Sequence, residues 1–137
     1  MSVPRLDQLP KGHRFAPTTY TLDDAWVDAY LAATEDVTTA ALEPQAVPPL
    51  AVLALAVRAL LEQARLPEGS LHLSQEMACH RLPRRGEAVT AEAAIVSRSE
   101  RQGWALLGVE LSVRDSEGEL LVSGRATLGL PAGGGKP

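Results

Sequence analysis

Residues Pro48–Arg65 read PPLAVLALAVRALLEQAR, and the reading of this stretch decides the fold. Leu50 to Val57 is apolar on every side of a helix. Charge returns only at Arg58, Glu62 and Arg65, which share one helical stripe. Alanine and leucine both form helix well. Pro48 and Pro49 suit a first turn, where a backbone N–H has no partner to lose. Pro67 and Gly69 suit a stop. A helix apolar all round has to be enclosed. A bilayer crossing takes about 20 apolar residues, more than this run holds. The expectation is therefore a core helix wrapped by the rest of the chain, with no membrane association.

The chain has 137 residues, 45% of them hydrophobic, which fits one domain with a real core. Its net charge of −4 argues against nucleic acid as a main partner. Cys79 is the single cysteine, so no internal disulfide can form. Met1–Pro10 lacks the apolar core of a secretory signal. These two features lead us to expect a cytoplasmic protein. Residues 1–11 read as an irregular lead-in, 12–130 as one domain, and 131–137 (PAGGGKP) as a flexible tail.

Arg14–Leu22 reads as a short extended segment, with Pro17 favouring an edge. A helix over Asp24–Ala33 follows, capped by Thr21 or Asp23, with Ala25, Trp26, Ala29, Tyr30 and Ala33 on one face. Four alternating runs come after the core helix. In Leu71–Arg81, Leu71, Leu73, Met77 and Cys79 oppose His72, Ser74, Glu76 and His80. Val89–Ser99 has Val89, Ala91, Ala93 and Ile95 on one face. Trp104–Arg114 has Ala105, Leu107, Val109, Leu111 and Val113, and Leu120–Leu130 has Leu120, Val122, Ala126, Leu128 and Leu130. Gly124 in the last run implies a bend or a close backbone approach. Long consecutive strands with short turns predict an antiparallel meander curled round the helix, an α+β fold of one wrapped helix and about five strands. Trp104, Leu106 and Gly108 lie opposite the core-facing set of their strand, and such a patch predicts a dimer that pairs sheets.

Several segments, in this order, resemble the MaoC-like hydratase/dehydratase family, in particular its N-terminal-type dehydratase domains. They are Gly12–Leu22 (GHRFAPTTYTL), Tyr30–Asp36 (YLAATED), Val47–Pro49 (VPP) and Val113–Ala126 (VRDSEGELLVSGRA). His72–Gly86 (HLSQEMACHRLPRRG) is similar to the family's H-x-x-Q-x-x-x-x-H-R-P-x-x-x-G pattern, with Leu82 inserted before Pro83. The resemblance covers residues 12 to 130 and implies the hotdog fold. It also implies an acyl-thioester ligand, acyl-CoA or an acyl carrier, and the addition or removal of water across a 2-enoyl thioester. No cofactor and no metal are implied. The family's catalytic pair is an Asp and a His five positions later. Asp36 fills the first position, but Ala41 stands in the second. Water must lose a proton as it attacks C3 and the α-carbon must gain one, work that a carboxylate and an imidazole divide. Ala41 can do neither.

The remaining candidates each carry two readings. Asp36 is a general base or a solvated loop acid. His72 replaces the missing imidazole or is a surface residue. His80 lies on the order of 26 Å from it along one strand, too far to share a metal or a proton relay. Gln75 interrupts an apolar face, so its amide bonds either the start of the core helix or a ligand, because an unpartnered buried amide costs about 1–3 kcal/mol. The helix start, Val47, Pro48, Pro49, Leu50 and Ala51, offers N–H groups and a dipole to a thioester carbonyl, with Leu50 and Ala51 as donors. Arg84 and Arg85 are candidates for CoA phosphates, or a solvated basic turn.

Three functions compete: a hydratase or dehydratase with a displaced or partner-supplied catalytic group; a non-catalytic subunit pairing with an active MaoC-like partner; and a hotdog thioesterase. The last needs a carboxylate near the helix, and Glu43 is the nearest acid upstream. The partner expected is a second copy or another hotdog subunit.

Overall fold

The structure is a computed structural model that describes residues 3–34 and 45–131. Asp36, Ala41 and Glu43 lie outside the described residues. Strand β1 (Thr18–Thr21) leads into helix α1 (Asp24–Thr34), and helix α2 (Pro49–Gln63) follows. Four strands complete the chain: β2 (Leu71–Cys79), β3 (Ala88–Arg101), β4 (Trp104–Asp115) and β5 (Leu120–Pro131). The five strands form one antiparallel sheet in the order β1-β3-β4-β5-β2, with α2 packed along its concave side. The α+β architecture read from the alternation is the one observed.

Local chemistry sets the elements. Asp23 caps α1, its Oδ1 accepting the Trp26 N–H at 2.8 Å. Gln102 (φ 52°) and Gly103 (φ 86°) are both left-handed, the requirement of a tight turn between strands of matching twist. At the far end of α2, the Gln63 amide accepts the Ala16 N–H and donates to the Ala16 carbonyl, both at 2.8 Å. That pair ties the helix to the segment before β1.

The core lies between α2 and the middle strands. Ala105, Leu107, Val109, Leu111 and Val113 of β4 are fully buried, and Val89, Ala91, Ala93 and Ile95 of β3 join them. From α2 come Ala51, Val52, Leu53, Leu55, Ala56, Ala59 and Leu60. At about 1.5–3 kcal/mol per buried large aliphatic side chain, this layer is the main driving force of the fold.

Five sequence expectations change. In α1 the fully buried residue is Val27, with Trp26, Tyr30 and Leu31 partly buried beside it, while Ala25, Ala29 and Ala33 are exposed. In β5 it is Leu121, not Leu120, that is fully buried, because the β4–β5 register slips between Val113 and Arg114. On the convex face, Gly108 is buried beneath polar side chains. A Cβ there would meet Ser97 Oγ at 2.3 Å and the Arg125 guanidinium at 2.8 Å. The middle of that face is thus polar, and the apolar patch predicted for sheet pairing shrinks to Trp104 and Leu106 at one end.

The last two corrections concern the site. The helix is not enclosed all round. Leu50, Ala54 and Leu61 are exposed and Val57 is half-buried. At spacings of four, three and four they form one continuous bare stripe. Strand β2 does not alternate as read either. The β2–β5 register is irregular between His72 and Ser74, so Leu73 is an extra residue. One added residue reverses which side a strand position faces. His72 pairs with Leu128 and Gln75 with Ala126, both on the helix side of β5, whereas Leu71 pairs with Gly129 on the convex side. Leu71 and Leu73, expected to cover the core, are each 51% exposed.

Candidate functional site

The bulge brings His72 and Gln75 to one side of the sheet, opposite the bare stripe of α2. Between them lies a cavity of about 260 Å³ lined by Tyr30, Leu50, Leu53, Ala54, Val57, His72 and Gln75. A second cavity, of about 270 Å³, continues toward the end of the helix between Val57, Leu60, Leu61 and Leu66 on one side and Leu71, Leu111, Ala126 and Leu128 on the other, with Ser70 beside them. Val57 and His72 line both cavities. His72 therefore stands at the joint between a compartment with three polar side chains and one that is almost wholly apolar. A mostly apolar cleft with a few convergent polar groups is the form of a small-molecule site.

Gln75 has room because of Gly124. A Cβ at Gly124 would meet the Glu76 carbonyl at 2.5 Å, Leu53 Cδ2 at 2.9 Å and Gln75 Nε2 at 3.3 Å. This is the close approach that the glycine in β5 predicts. The Gln75 amide makes one long bond, Nε2 to the Glu76 carbonyl at 3.4 Å, rather than reaching the helix start.

The helix start is more selective than the sequence implies. The Val47 N–H donates to the Pro83 carbonyl at 2.8 Å. The Ala51 N–H donates to the Pro48 carbonyl at 3.0 Å, so it is spent inside the first turn. Pro48 and Pro49 have no N–H. Among the described residues that leaves Leu50 as the donor of this turn, and Leu50 lines the cavity. Val47, Pro48 and Ala51 are buried and act as supports.

The basic turn divides. Arg85 bonds Asp24 at 3.1 Å and Asp28 at 2.9 Å, which pin the β2–β3 turn to α1. Hydrogen bonds to Asp28 and then Asp24 push its guanidinium pKa higher still. Arg85 is thus committed to structure, and Arg84, whose side chain is exposed, is the remaining phosphate candidate. His80 lies away from the cavities, its Nε2 2.9 Å from Ser123 Oγ, and His13 packs edge-on against Phe15 at 4.7 Å. Cys79, placed by the alternation on the apolar face of β2, is exposed. Among the described residues no cluster of His, Cys, Asp or Glu could hold a metal ion, and neither cavity is lined by a carboxylate. No helix among them is long and apolar enough to cross a membrane.

Sequence reasoning found His72 and Gln75 but set them on opposite faces. It missed Tyr30 and Leu53 as lining residues and the whole second cavity. The bulge leaves no mark in β2 that a pattern of alternation would detect.

Neither a protein-family model nor any curated protein matches the chain. Solved structures do. The (R)-hydratase from A. caviae involved in PHA biosynthesis superposes with a TM-score of 0.74 at 24% identity, over 90% of this chain and 98% of that one. The MaoC-like dehydratase from Rhodospirillum rubrum gives 0.70 at 16% identity, over 92% and 95%. A Mycobacterium tuberculosis protein with a double hotdog fold gives 0.77 at 22% identity, over 98% of this chain and 46% of the other. Together with the single sheet packed on α2, these place the chain in the hotdog fold.

Proposed function

We propose that the paired cavities hold an acyl thioester of the acyl-CoA type, and that the protein hydrates 2-enoyl thioesters or dehydrates the 3-hydroxy products. The observation that carries this reading is His72 at the joint of the two cavities, put there by the Leu73 bulge. The fatty tail lies in the apolar compartment against Leu60, Leu66 and Leu128. The thioester carbonyl faces the Leu50 N–H, where the positive end of the helix stabilises the charge that gathers on oxygen. In hydration, the His72 imidazole takes a proton from the water as its oxygen bonds to C3, and the imidazolium so formed, or a protonated Asp36, returns one to C2, so that one water is added across the double bond. Gln75 orients the water, and Asp36 is the second acid–base candidate. Arg84 meets the CoA phosphates.

Hydration of a 2-enoyl-CoA series, followed by loss of the conjugated thioester absorbance, tests the reading. Saturated acyl-CoA binding by calorimetry is its companion. His72→Ala should cut turnover by about a hundredfold or more while the fold, read by circular dichroism, stays intact. A wild type that shows no acyl-CoA binding and no turnover would remove the proposal.

Ala41 in the position of the family's His favours a second reading, a non-catalytic subunit of a hotdog pair. Solved neighbours include the ChsH1–ChsH2 and HadBC complexes from Mycobacterium tuberculosis. Acyl-CoA binding without turnover, with hydration appearing when an active hotdog subunit is added, would select it.

A further inference from the structure

We propose that a cavity at the β1 edge, apart from the His72 cleft, binds a small organic monocarboxylate: Arg58 and the Tyr20 hydroxyl take the carboxylate, and Trp26 and Leu55 pack its apolar body. The cavity is about 320 Å³ and lies between β1, the start of α1 and α2. That is the lower end of small-molecule sites, which run from about 300 Å³ upward. It shares no described lining residue with the two cavities beside His72. Leu55 and Arg58 each follow a residue of the bare stripe, Ala54 and Val57, and so point about 100° round the helix from it. The site stands apart from the acyl-thioester reading and does not rest on it.

Three observations converge on it. First, the Tyr20 hydroxyl is covered, yet it has no hydrogen-bond partner among the described residues. Tyr20 pairs with the fully buried Val89, which sets its side chain on the helix side of the sheet. A covered polar group without a partner is costly, and an acceptor on a ligand satisfies it. Second, the Arg58 guanidinium carbon lies 5.6 Å from the Tyr20 ring centre. That is about the span of two ~2.8 Å hydrogen bonds, so one carboxylate reaches both groups. The ion pair of Arg58 with Glu62 is long, 3.4 Å, and exposed, so an anion can displace it. Third, an apolar wall stands beside these groups, with Trp26 half-buried and Leu55 buried. The charges set the class of ligand. Burial first, then the negative charge of Glu62, push the Tyr20 pKa above the ordinary 10.0, so the phenol keeps its proton and donates at neutral pH. Arg58 is the one cation of the lining, and Asp23 lines it too, with Oδ1 already accepting the Trp26 N–H. Asp23 and Glu62 therefore oppose a second negative charge, which selects a monocarboxylate over a phosphate.

Benzoate is the probe, titrated into the full chain and followed by amide and indole NMR, with benzyl alcohol and inorganic phosphate alongside. Benzoate should shift the Trp26 indole and the β1 amides, saturate by about 10 mM, and leave the indole of Trp104, the other tryptophan, in place. Benzyl alcohol and phosphate should each bind about tenfold more weakly or worse. Arg58→Gln should weaken benzoate about tenfold or more, and Tyr20→Phe about fivefold. Without ligand, Tyr20→Phe should melt no lower than the wild type, because the hydroxyl it removes bonds nothing among the described residues. Benzoate should raise the melting temperature of the wild type more than that of either variant. No saturable shift, shifts confined to the residues round His72, phosphate or benzyl alcohol bound as tightly as benzoate, or an affinity unchanged in either variant would each overturn the proposal. A Tyr20→Phe variant that melts lower would give the hydroxyl a structural partner and overturn it equally.

Discussion

The two edges of the sheet are built on opposite plans. β1 is four residues long, Thr-Thr-Tyr-Thr, and its exposed Thr19 and Thr21 alternate with half-buried Thr18 and Tyr20. Thr19 meets Thr90 on the neighbouring strand at 3.4 Å. The strand ends at once in the Asp23 cap of α1, and the fully buried Leu22 anchors the corner. β2 is more than twice as long, carries Leu71, Leu73 and Met77 in the open, and has the helix's bare stripe beside it. A short polar edge ends a sheet, and a long apolar one leaves it unfinished. The candidate site lies on the unfinished side, where cavity space exists because packing stops short.

That contrast can be broken at several points. The largest effect should come from Leu53, whose Cδ2 fits into the space Gly124 leaves open beneath β2. Leu53→Ala should cost about 2–5 kcal/mol, read as a fall in the denaturant midpoint. It should also enlarge the cavity beside His72. An unchanged midpoint in the variant would mean that α2 does not support β2 as described. Gly124→Ala fills the same gap from the sheet. Its Cβ would sit 2.5 Å from the Glu76 carbonyl, so β2 must move. About 1–3 kcal/mol of destabilisation is expected, together with exposed-edge amides of β2 that exchange faster with solvent.

A smaller effect, conditional on pH, sits at the far end of β2. Arg81, just past the strand, pairs with Glu87 and, at 3.1 Å, with Asp115 at the end of β4. The Asp115 carboxylate also accepts the N–H groups of Glu119 and Glu117, each at 2.9 Å. Hydrogen bonding from the Glu119 backbone first, then Glu117 and Arg81, holds its pKa below the ordinary 3.8. A depressed carboxyl pKa stabilises the fold above the unfolded value, and that contribution disappears as pH falls through the folded one. Asp115→Asn should therefore lower the melting temperature at neutral pH. The gap from wild type should close below pH 3.8. A gap that persisted in acid would assign the effect to packing. The smallest change belongs to the finished edge: Thr19→Val should stay within about 0.5 kcal/mol, because its hydroxyl contact is long and exposed.

Much of this architecture is legible in the amino-acid sequence. The alternation of β3 and β4 names nine residues, Val89 to Ile95 and Ala105 to Val113, and all are buried, because central strands are covered by the helix on one side and period two admits one solution. The prolines and the Ala-Leu run of α2 mark a helix by local preference alone. Thr21 or Asp23 likewise offers a cap, and Gly124 a bend or a close approach, between which the structure chooses Asp23 and the close approach. The order of short motifs added the hotdog resemblance. The site was legible only as a set of names, His72 and Gln75, without the fact that they share a side.

What belongs to the sequence by itself is whatever depends on neighbours a few residues away: strand period, helix content, caps and turns, and so the α+β wrap. What the tertiary structure alone decided is the Leu73 bulge, the bare stripe on α2, the spending of Ala51's N–H and the pinning of Arg85 to Asp24 and Asp28. Each of these depends on a partner far along the chain. A bulge is defined only by the register of the strand opposite, and exposure only by which distant segments pack over a residue.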